Sequence, residues 1–163
     1  MAETDQLRGV AQINIGADDV GKVRDWYSQV FGIEAYFQRP DADKPAYVEF
    51  RVGGDYGHEF GIIDRKFLPP VSQQSGGGAI VRWHVDDIGA AFDRLKRLGA
   101  KDNEEITERG GGFVTASVID PFGNVLGLIY SPHYLEVRDG GNGATAQPPH
   151  NLVPEIRQEH RST

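Results

Sequence analysis

Hydrophobic and polar residues alternate with period two along several short stretches of the chain, which is typical of half-buried β-strands. Two longer stretches repeat hydrophobic residues every three or four positions, as amphipathic helices do. In the first half, these patterns predict strands at residues 10–16, 33–38, 47–52 and 58–63 and a helix at residues 20–31. The same order starts again in the second half, with strands at residues 80–85, 101–107, 113–119 and 125–130 and a helix at residues 88–98. The chain is therefore predicted to contain two copies of one βαβββ module.

Two short sequence repeats support this duplication. The first helix start, Asp18–Gly21 (Asp-Asp-Val-Gly), returns as Asp86–Gly89 (Asp-Asp-Ile-Gly), at an offset of 86 − 18 = 68 residues. The last strands of the two modules share a glycine at the third position of Glu59–Ile63 and Val125–Ile129. A tight turn is predicted at Asp120–Asn124 (Asp-Pro-Phe-Gly-Asn), because Asp bonds the backbone ahead of it and Pro presets φ.

The segments outside the modules have a different composition. Residues 65–78 contain two consecutive prolines and three consecutive glycines, so we predict a flexible linker there. The predicted organisation is a first module at residues 8–64, this linker, a second module at residues 79–134 and a tail at residues 135–163. The tail has few apolar residues over most of its length, so we expect it to be disordered, or ordered only on a partner.

Composition and charge exclude several classes of function. The 163 residues include no cysteine, which excludes thiol nucleophiles, disulfides and thiolate metal sites. The formal net charge is −7 and no basic run stands out, so we expect no nucleic-acid partner. The sequence shows neither a signal peptide nor an apolar run long enough to span a membrane. We therefore expect a cytoplasmic protein with no membrane partner.

The doubled βαβββ order, the two helix starts, Trp26-Tyr27 and the Asp120–Asn124 turn together resemble the vicinal oxygen chelate superfamily. This superfamily includes glyoxalase I, extradiol dioxygenases, and fosfomycin- and bleomycin-resistance proteins. The resemblance covers about residues 8 to 134. It implies an α+β fold, in which two βαβββ modules in tandem form a cup-shaped mixed sheet with helices outside and a ligand inside.

That fold separates the two sides of each strand, because the apolar side packs under a helix and the polar side lines the cup. The residues predicted to bind a small-molecule ligand are Gln12, Asn14, Tyr47, Glu49, Glu59, Arg82, His84, Phe113 and Thr115. Buried polar groups need hydrogen-bond partners, which a ligand, water or one another can supply. We also expect a homodimer, because two curled half-cups leave sheet edges and apolar surface that one short chain hardly covers.

Metal-binding members of the superfamily place one ligand on the first strand and one on the last strand of each module. The resemblance places these four positions at Gln12, Gly61, Ile80 and Gly127. Gly and Ile offer no ligand atom, and a lone neutral amide cannot hold a divalent ion. We therefore expect no metal and no cofactor, and we expect the two glycines to leave extra room for a ligand.

The leading interpretation is a metal-free protein that binds an antibiotic or a metabolite, similar to the bleomycin-resistance branch. The alternative is a lyase, an isomerase or a dioxygenase-type enzyme, with His84 and Glu59 as acid–base groups or, with Gln12, as relocated metal ligands. A third possibility is a structural or regulatory dimer module.

Two of the predicted ligand-binding residues could instead be bonded only to other residues of the protein. His84 could be satisfied by a neighbour such as Glu59 or Asn14. Arg82, a guanidinium that needs a partner when buried, could form an ion pair with Glu49 or Glu59.

Overall fold

The two predicted modules fold as two four-stranded mixed sheets in a computed structural model, which describes residues 10–54, 57–74, 79–138 and 140. One sheet lies in unit 1, Met1–Gly76, and the other lies in unit 2, Gly77–Thr163. The prediction of an α+β fold built from two βαβββ modules is confirmed.

Unit 1 contains one helix and four strands: β1 (Gln12–Ala17), α1 (Val20–Phe31), β2 (Phe37–Arg39), β3 (Tyr47–Val52) and β4 (His58–Asp64). The strand order is β1-β4-β3-β2. β1 pairs with β4 in parallel, and the other neighbours are antiparallel. Two single turns of 3-10 helix, Arg65–Phe67 and Pro70–Ser72, lie in the segment predicted as a linker.

Capping residues fix both ends of α1, and its apolar side faces the sheet. The side chain of Asp19 accepts a hydrogen bond from the backbone N–H of Lys22 at 3.1 Å. Gly32 ends the helix with φ 69°, a left-handed conformation that glycine adopts without a Cβ clash. The Tyr27 ring packs against Phe60 with centroids 4.9 Å apart, which ties the helix to β4.

Unit 2 repeats the same topology and adds a helix: β5 (Arg82–His84), α2 (Ile88–Arg97), β6 (Lys101–Gly110), β7 (Phe113–Ile119), β8 (Val125–Tyr130) and α3 (Pro132–Arg138). The strand order is β5-β8-β7-β6, and β5 pairs with β8 in parallel. Asp87 caps α2 as Asp19 caps α1, because its side chain accepts a hydrogen bond from the backbone N–H of Ala90 at 2.9 Å. The repeated helix start therefore has the same structural role in both modules.

The first residues of the predicted tail, 135–138, belong to α3. Ser131 caps this helix by accepting a hydrogen bond from the backbone N–H of Tyr134 at 3.1 Å. Seven residues are too few to give a clear helical period, so the sequence pattern missed α3. Residue 139 and residues 141–163 of the predicted tail lie outside the described residues.

Across the described residues, every helix is too short or too polar to cross a membrane.

The predicted turn between β7 and β8 is present and rests on Asp120, whose side chain is buried. Asp120 Oδ1 accepts hydrogen bonds from the backbone N–H groups of Phe122 at 2.9 Å and Asn124 at 2.8 Å. Its Oδ2 accepts another from Asn124 Nδ2 at 3.1 Å. Gly123 has φ 90°, which a residue with a side chain rarely adopts. One carboxylate therefore organises the whole turn.

Candidate functional site

The strand register of unit 1 brings its polar residues onto one face of the sheet. One row across the four strands consists of Asn14, Gly61, Glu49 and Phe37. The rows on either side of it consist of Gln12, Glu59 and Arg51, and of Gly16, Ile63, Tyr47 and Arg39. The alternate residues are buried on the face that packs against α1, namely Val48, Phe50, Phe60 and Ile62. The predicted separation of polar and apolar faces therefore holds in this unit.

All five ligand-binding residues predicted in unit 1 come together in one hydrogen-bonded group, which we call the polar cluster: Gln12, Asn14, Tyr47, Glu49 and Glu59. Gln12 Nε2 donates to Tyr47 Oη and to Glu49 Oε2, both at 2.8 Å, and lies 3.5 Å from Glu59 Oε2. Asn14 Nδ2 donates to Gln12 Oε1 at 2.9 Å, and Tyr47 Oη donates to Glu49 Oε2. The Gln12 amide is the centre of the cluster.

The polar cluster carries two carboxylates close to each other. Burial, followed by the charge of Glu59, raises the pKa of the Glu49 carboxyl. Burial also raises the pKa of the Tyr47 phenol. Arg51 supplies the positive charge nearby, because its Nη2 lies 3.2 Å from Glu59 Oε1, although the side chains of Arg51 and Glu59 are 47% and 35% exposed. An ion pair this exposed contributes little to stability and leaves Glu59 accessible.

An apolar pocket of about 530 Å³ lies beside the polar cluster, lined by Arg39, Pro40, Ala46, Tyr47, Ile63 and Phe67. Tyr47 belongs to both, because its ring lines the pocket and its hydroxyl bonds Gln12 and Glu49. The pocket volume falls within the range of roughly 300–1,000 Å³ that small-molecule sites occupy. The sequence pattern identified only Tyr47 of these six residues. Arg39 and Pro40 come from the end of β2 and Phe67 from the turn after β4, while Ala46 and Ile63 lie beside Tyr47 at the ends of β3 and β4.

In unit 2, the predicted residue Arg82 is held by its own sheet. Its Nη2 donates to both carboxylate oxygens of Glu104, at 3.2 and 3.0 Å, and its Nη1 donates to the carbonyl of Ala116 at 3.1 Å. Arg82 therefore forms an internal ion pair, which is the alternative considered from the sequence. Its partner is Glu104 rather than Glu49 or Glu59. Sequence reasoning missed Glu104, which lies on the polar strand β6.

The remaining polar groups on this face of unit 2 are also bonded to one another. Ser117 Oγ donates to Glu104 Oε2 at 2.6 Å and accepts from Asn103 Nδ2 at 2.9 Å. The predicted residue Thr115 accepts from Arg109 Nε at 2.9 Å and is 2% exposed. Phe113 is half-buried at the start of β7. The polar face of unit 2 is thus largely filled by its own side chains.

His84 has internal partners on both ring nitrogens. Its Nδ1 accepts a hydrogen bond from the backbone N–H of Ser131 at 3.2 Å, which leaves Nε2 to donate to Asp86 Oδ1 at 3.3 Å. The ring stacks on Tyr134 with centroids 4.5 Å apart. The internal interpretation of His84 is therefore supported, with Asp86 and Ser131 as partners instead of the Glu59 or Asn14 suggested from the sequence.

Glu104 gives a prediction for the stability of unit 2. The hydrogen bond from Ser117, followed by Arg82, lowers the pKa of the Glu104 carboxyl. We expect Glu104→Gln to lose about 1.5 kcal/mol of unfolding free energy at neutral pH, because a charge-assisted hydrogen bond is lost. A lowered carboxyl pKa stabilises the fold above the unfolded-state value and loses that contribution as the pH falls through the folded-state value. The difference from the unmodified protein should therefore shrink in acid.

Urea unfolding at neutral and acidic pH measures this difference. Glu105→Gln is the matched control, because Glu105 is the exposed neighbour on the same strand. Equal losses for the two variants, or a Glu104→Gln loss that does not change with pH, would contradict the proposed role of this carboxylate.

Comparison with known proteins gives the family. The sequence model of the Glyoxalase/Bleomycin resistance protein/Dioxygenase superfamily matches residues 9–128. The chain belongs to this superfamily. Among curated proteins, none matches the chain.

Solved structures of other proteins share the fold at low identity. A member from Sphaerobacter thermophilus is 20% identical with a TM-score of 0.60, covering 77% of this chain and 98% of its own. A glyoxalase-related enzyme from Fulvimarina pelagi is 18% identical with a TM-score of 0.60, covering 77% and 90%. Protein ATC0852 from Agrobacterium tumefaciens is 16% identical with a TM-score of 0.63, covering 76% and 98%. At these identities, the likeness concerns the fold.

The metal-ligand positions of the superfamily do not fit a metal here. Among the described residues, no three His, Asp or Glu side chains form a group that could hold a metal ion. The four equivalent positions are Gln12, Gly61, Ile80 and Gly127, which offer a single neutral amide.

The expectation that the two glycines leave extra room is wrong. A Cβ at Gly61 would lie 2.1 Å from Asn14 Oδ1 and 3.0 Å from the Tyr47 ring. A Cβ at Gly127 would lie 2.7 Å from the carbonyl oxygen of Val81. Neighbouring atoms already fill both places, so these glycines allow close contact between adjacent strands.

Proposed function

We propose that this member of the glyoxalase/bleomycin-resistance superfamily binds a small molecule, an antibiotic or a metabolite, without a metal, and that the polar cluster of unit 1 contacts the ligand. The supporting observation is that five residues from three strands converge on one partly exposed face beside an apolar pocket. A few polar groups next to an apolar pocket are typical of small-molecule sites.

The ligand binds to unit 1, and the predicted residues of unit 2 stabilise their own sheet. Arg82 is hydrogen-bonded to Glu104, and Thr115 is hydrogen-bonded to Arg109. In the polar cluster, Gln12 and Asn14 are exposed, and Tyr47, Glu49 and Glu59 are partly exposed. A ligand can therefore reach these groups without first breaking a buried ion pair.

The enzyme alternative requires His84 and Glu59 as acid–base groups. It has less support, because both ring nitrogens of His84 are already bonded to residues of unit 2. A general acid or base must reach the proton that it transfers. The homodimer and the cytoplasmic location stay predictions.

The test combines elemental analysis with identification of whatever molecule the protein retains. We expect protein purified without chelator to contain no stoichiometric zinc, nickel, iron or manganese. We also expect mass spectrometry of the denatured protein to detect a released compound, whose amount falls at least tenfold in Gln12→Ala, because that change removes the centre of the polar cluster. Purification in EDTA should not change the amount.

The matched control is Gln29→Ala, which removes an exposed glutamine from α1. Stoichiometric metal, loss of the compound in EDTA, or equal recovery from Gln12→Ala and Gln29→Ala would each overturn the proposal.

A further inference from the structure

We infer that the ligand of unit 1 is an aromatic amine, with its ring in the apolar pocket and its cationic nitrogen against the exposed side of the Glu49 and Glu59 carboxylates. This inference rests on the proposed function and names the class of ligand. It follows from the position of Tyr47, whose ring lines the apolar pocket and whose hydroxyl bonds an acidic residue of the polar cluster.

The pocket is suited to a flat apolar group. Five of its six lining side chains offer carbon surface, and Tyr47 and Phe67 are aromatic. Phe67 is 65% exposed. Aromatic rings gain from offset or edge contacts beyond the area that they bury, so a bound ring is favoured over an aliphatic group of equal size.

The polar cluster is suited to a cation. Glu49 and Glu59 carry two negative charges when ionised, and Arg51 supplies one positive charge, which leaves a net charge of −1. A carboxylate has about four acceptor sites. Glu49 uses two of them for Gln12 and Tyr47, and Glu59 uses one for Arg51, so both carboxylates can accept further hydrogen bonds. One ammonium group would neutralise the cluster and use these free acceptor sites.

The spacing between the two environments limits the ligand further. Tyr47 and Glu49 are two residues apart on β3 and point to the same face, so their positions are about 7 Å apart along the strand. At their tips the two side chains meet, because Tyr47 Oη bonds Glu49 Oε2, so a short linker of two carbons between ring and nitrogen is enough. Tryptamine has such a linker, and its neutral and acidic analogues tryptophol and indole-3-propionate have similar shapes.

Positive charges at the outer edge of the pocket favour an anionic ligand, so the test includes an anionic compound. Arg39 lies over the Phe37 ring at 5.4 Å and makes no ion pair with a described residue. Lys66 lies over the Phe67 ring at 4.9 Å, but its ammonium is 2.7 Å from Asp64 Oδ2. If the positive charge of Arg39 outweighs the negative charge of the polar cluster, indole-3-propionate should bind more tightly than tryptamine.

The experiment is isothermal titration calorimetry of the full chain with tryptamine, tryptophol and indole-3-propionate at low ionic strength. We expect tryptamine to bind at least tenfold more tightly than tryptophol, and indole-3-propionate to bind most weakly. Glu49→Gln should weaken tryptamine binding at least tenfold and leave tryptophol unchanged, whereas Phe67→Ala should weaken both. Glu34→Gln, an exposed carboxylate outside the site, is the control.

Three outcomes would overturn the inference: tryptamine binding no tighter than indole-3-propionate binding, an unchanged affinity in Glu49→Gln, or no binding of any of the three compounds. None of them decides the proposed function, which fails separately if the co-purifying compound does not depend on Gln12. Circular dichroism of each variant shows that a lost affinity does not come from unfolding.

Discussion

Gly127→Ala should lose about 2–3 kcal/mol of unfolding free energy, because a single methyl group has no space there. The added Cβ would lie 2.7 Å from the Val81 carbonyl oxygen and 2.9 Å from side-chain atoms of Ile80 and Arg82. That carbonyl accepts a hydrogen bond from the Gly127 N–H at 3.1 Å, so moving it away weakens the pairing of β5 with β8. Urea unfolding monitored by circular dichroism measures the loss.

Gly61→Ala provides a matched comparison at the equivalent position of the first module. Its Cβ would collide chiefly with Asn14 Oδ1, which is the tip of an exposed side chain that can rotate away. We therefore expect a loss below about 1 kcal/mol, partly offset by the lower entropy of the unfolded chain. A Gly61→Ala loss as large as that of Gly127→Ala would show that the backbone carbonyl is not the cause.

Asp120→Ala should lose about 3 kcal/mol, because it leaves the Phe122 and Asn124 backbone N–H groups without their acceptor. A loss of this size lowers the melting temperature by roughly 6–12 °C in a protein of this length. Differential scanning calorimetry measures the shift. The turn joins β7 to β8, so its loss weakens the central pair of the second sheet.

The conservative variant Asp120→Asn separates the two backbone hydrogen bonds from the charge and the Oδ2 acceptor. Asparagine keeps an oxygen at the Oδ1 position, where both backbone N–H groups bind, and replaces only the Oδ2 acceptor. We expect it to lose less than half as much as Asp120→Ala. If both variants lose the same amount, the two backbone bonds are not what the carboxylate contributes.

The sequence predicted the repeated parts of the fold well, because each has a local physical cause. Asp19 and Asp87 cap helices through hydrogen bonds to the third residue ahead, so the repeated helix starts were visible in the chain itself. The alternation in β3 likewise separated Tyr47 and Glu49 from the buried Val48 and Phe50. Five predicted site residues of unit 1 therefore lie together in the structure.

The predicted site residues of unit 2 are bonded to partners that the alternation of polar and apolar residues does not reveal. The strand β6 is polar along its length, so nothing local distinguished Glu104, whose partner Ser117 follows 13 residues later. The partners of His84 include Ser131 and Tyr134, which belong to the short α3 region that the pattern missed. The expectation that Gly61 and Gly127 leave room for a ligand failed for a similar reason. Only the neighbouring strand shows which atoms occupy the space beside each glycine.

The parallel pairing of the first and last strands in each unit also sets an order of events during synthesis. β1 ends at Ala17, and its partner β4 begins at His58, so 58 − 17 = 41 residues must be added before the two can pair. At typical translation rates of about 5–20 residues per second, one edge of β1 stays unpaired for roughly 2–8 s. During that time β2 and β3 are made but β4 is not, so the first sheet can close onto β1 only at its last strand, and β5 waits for β8 in the same way.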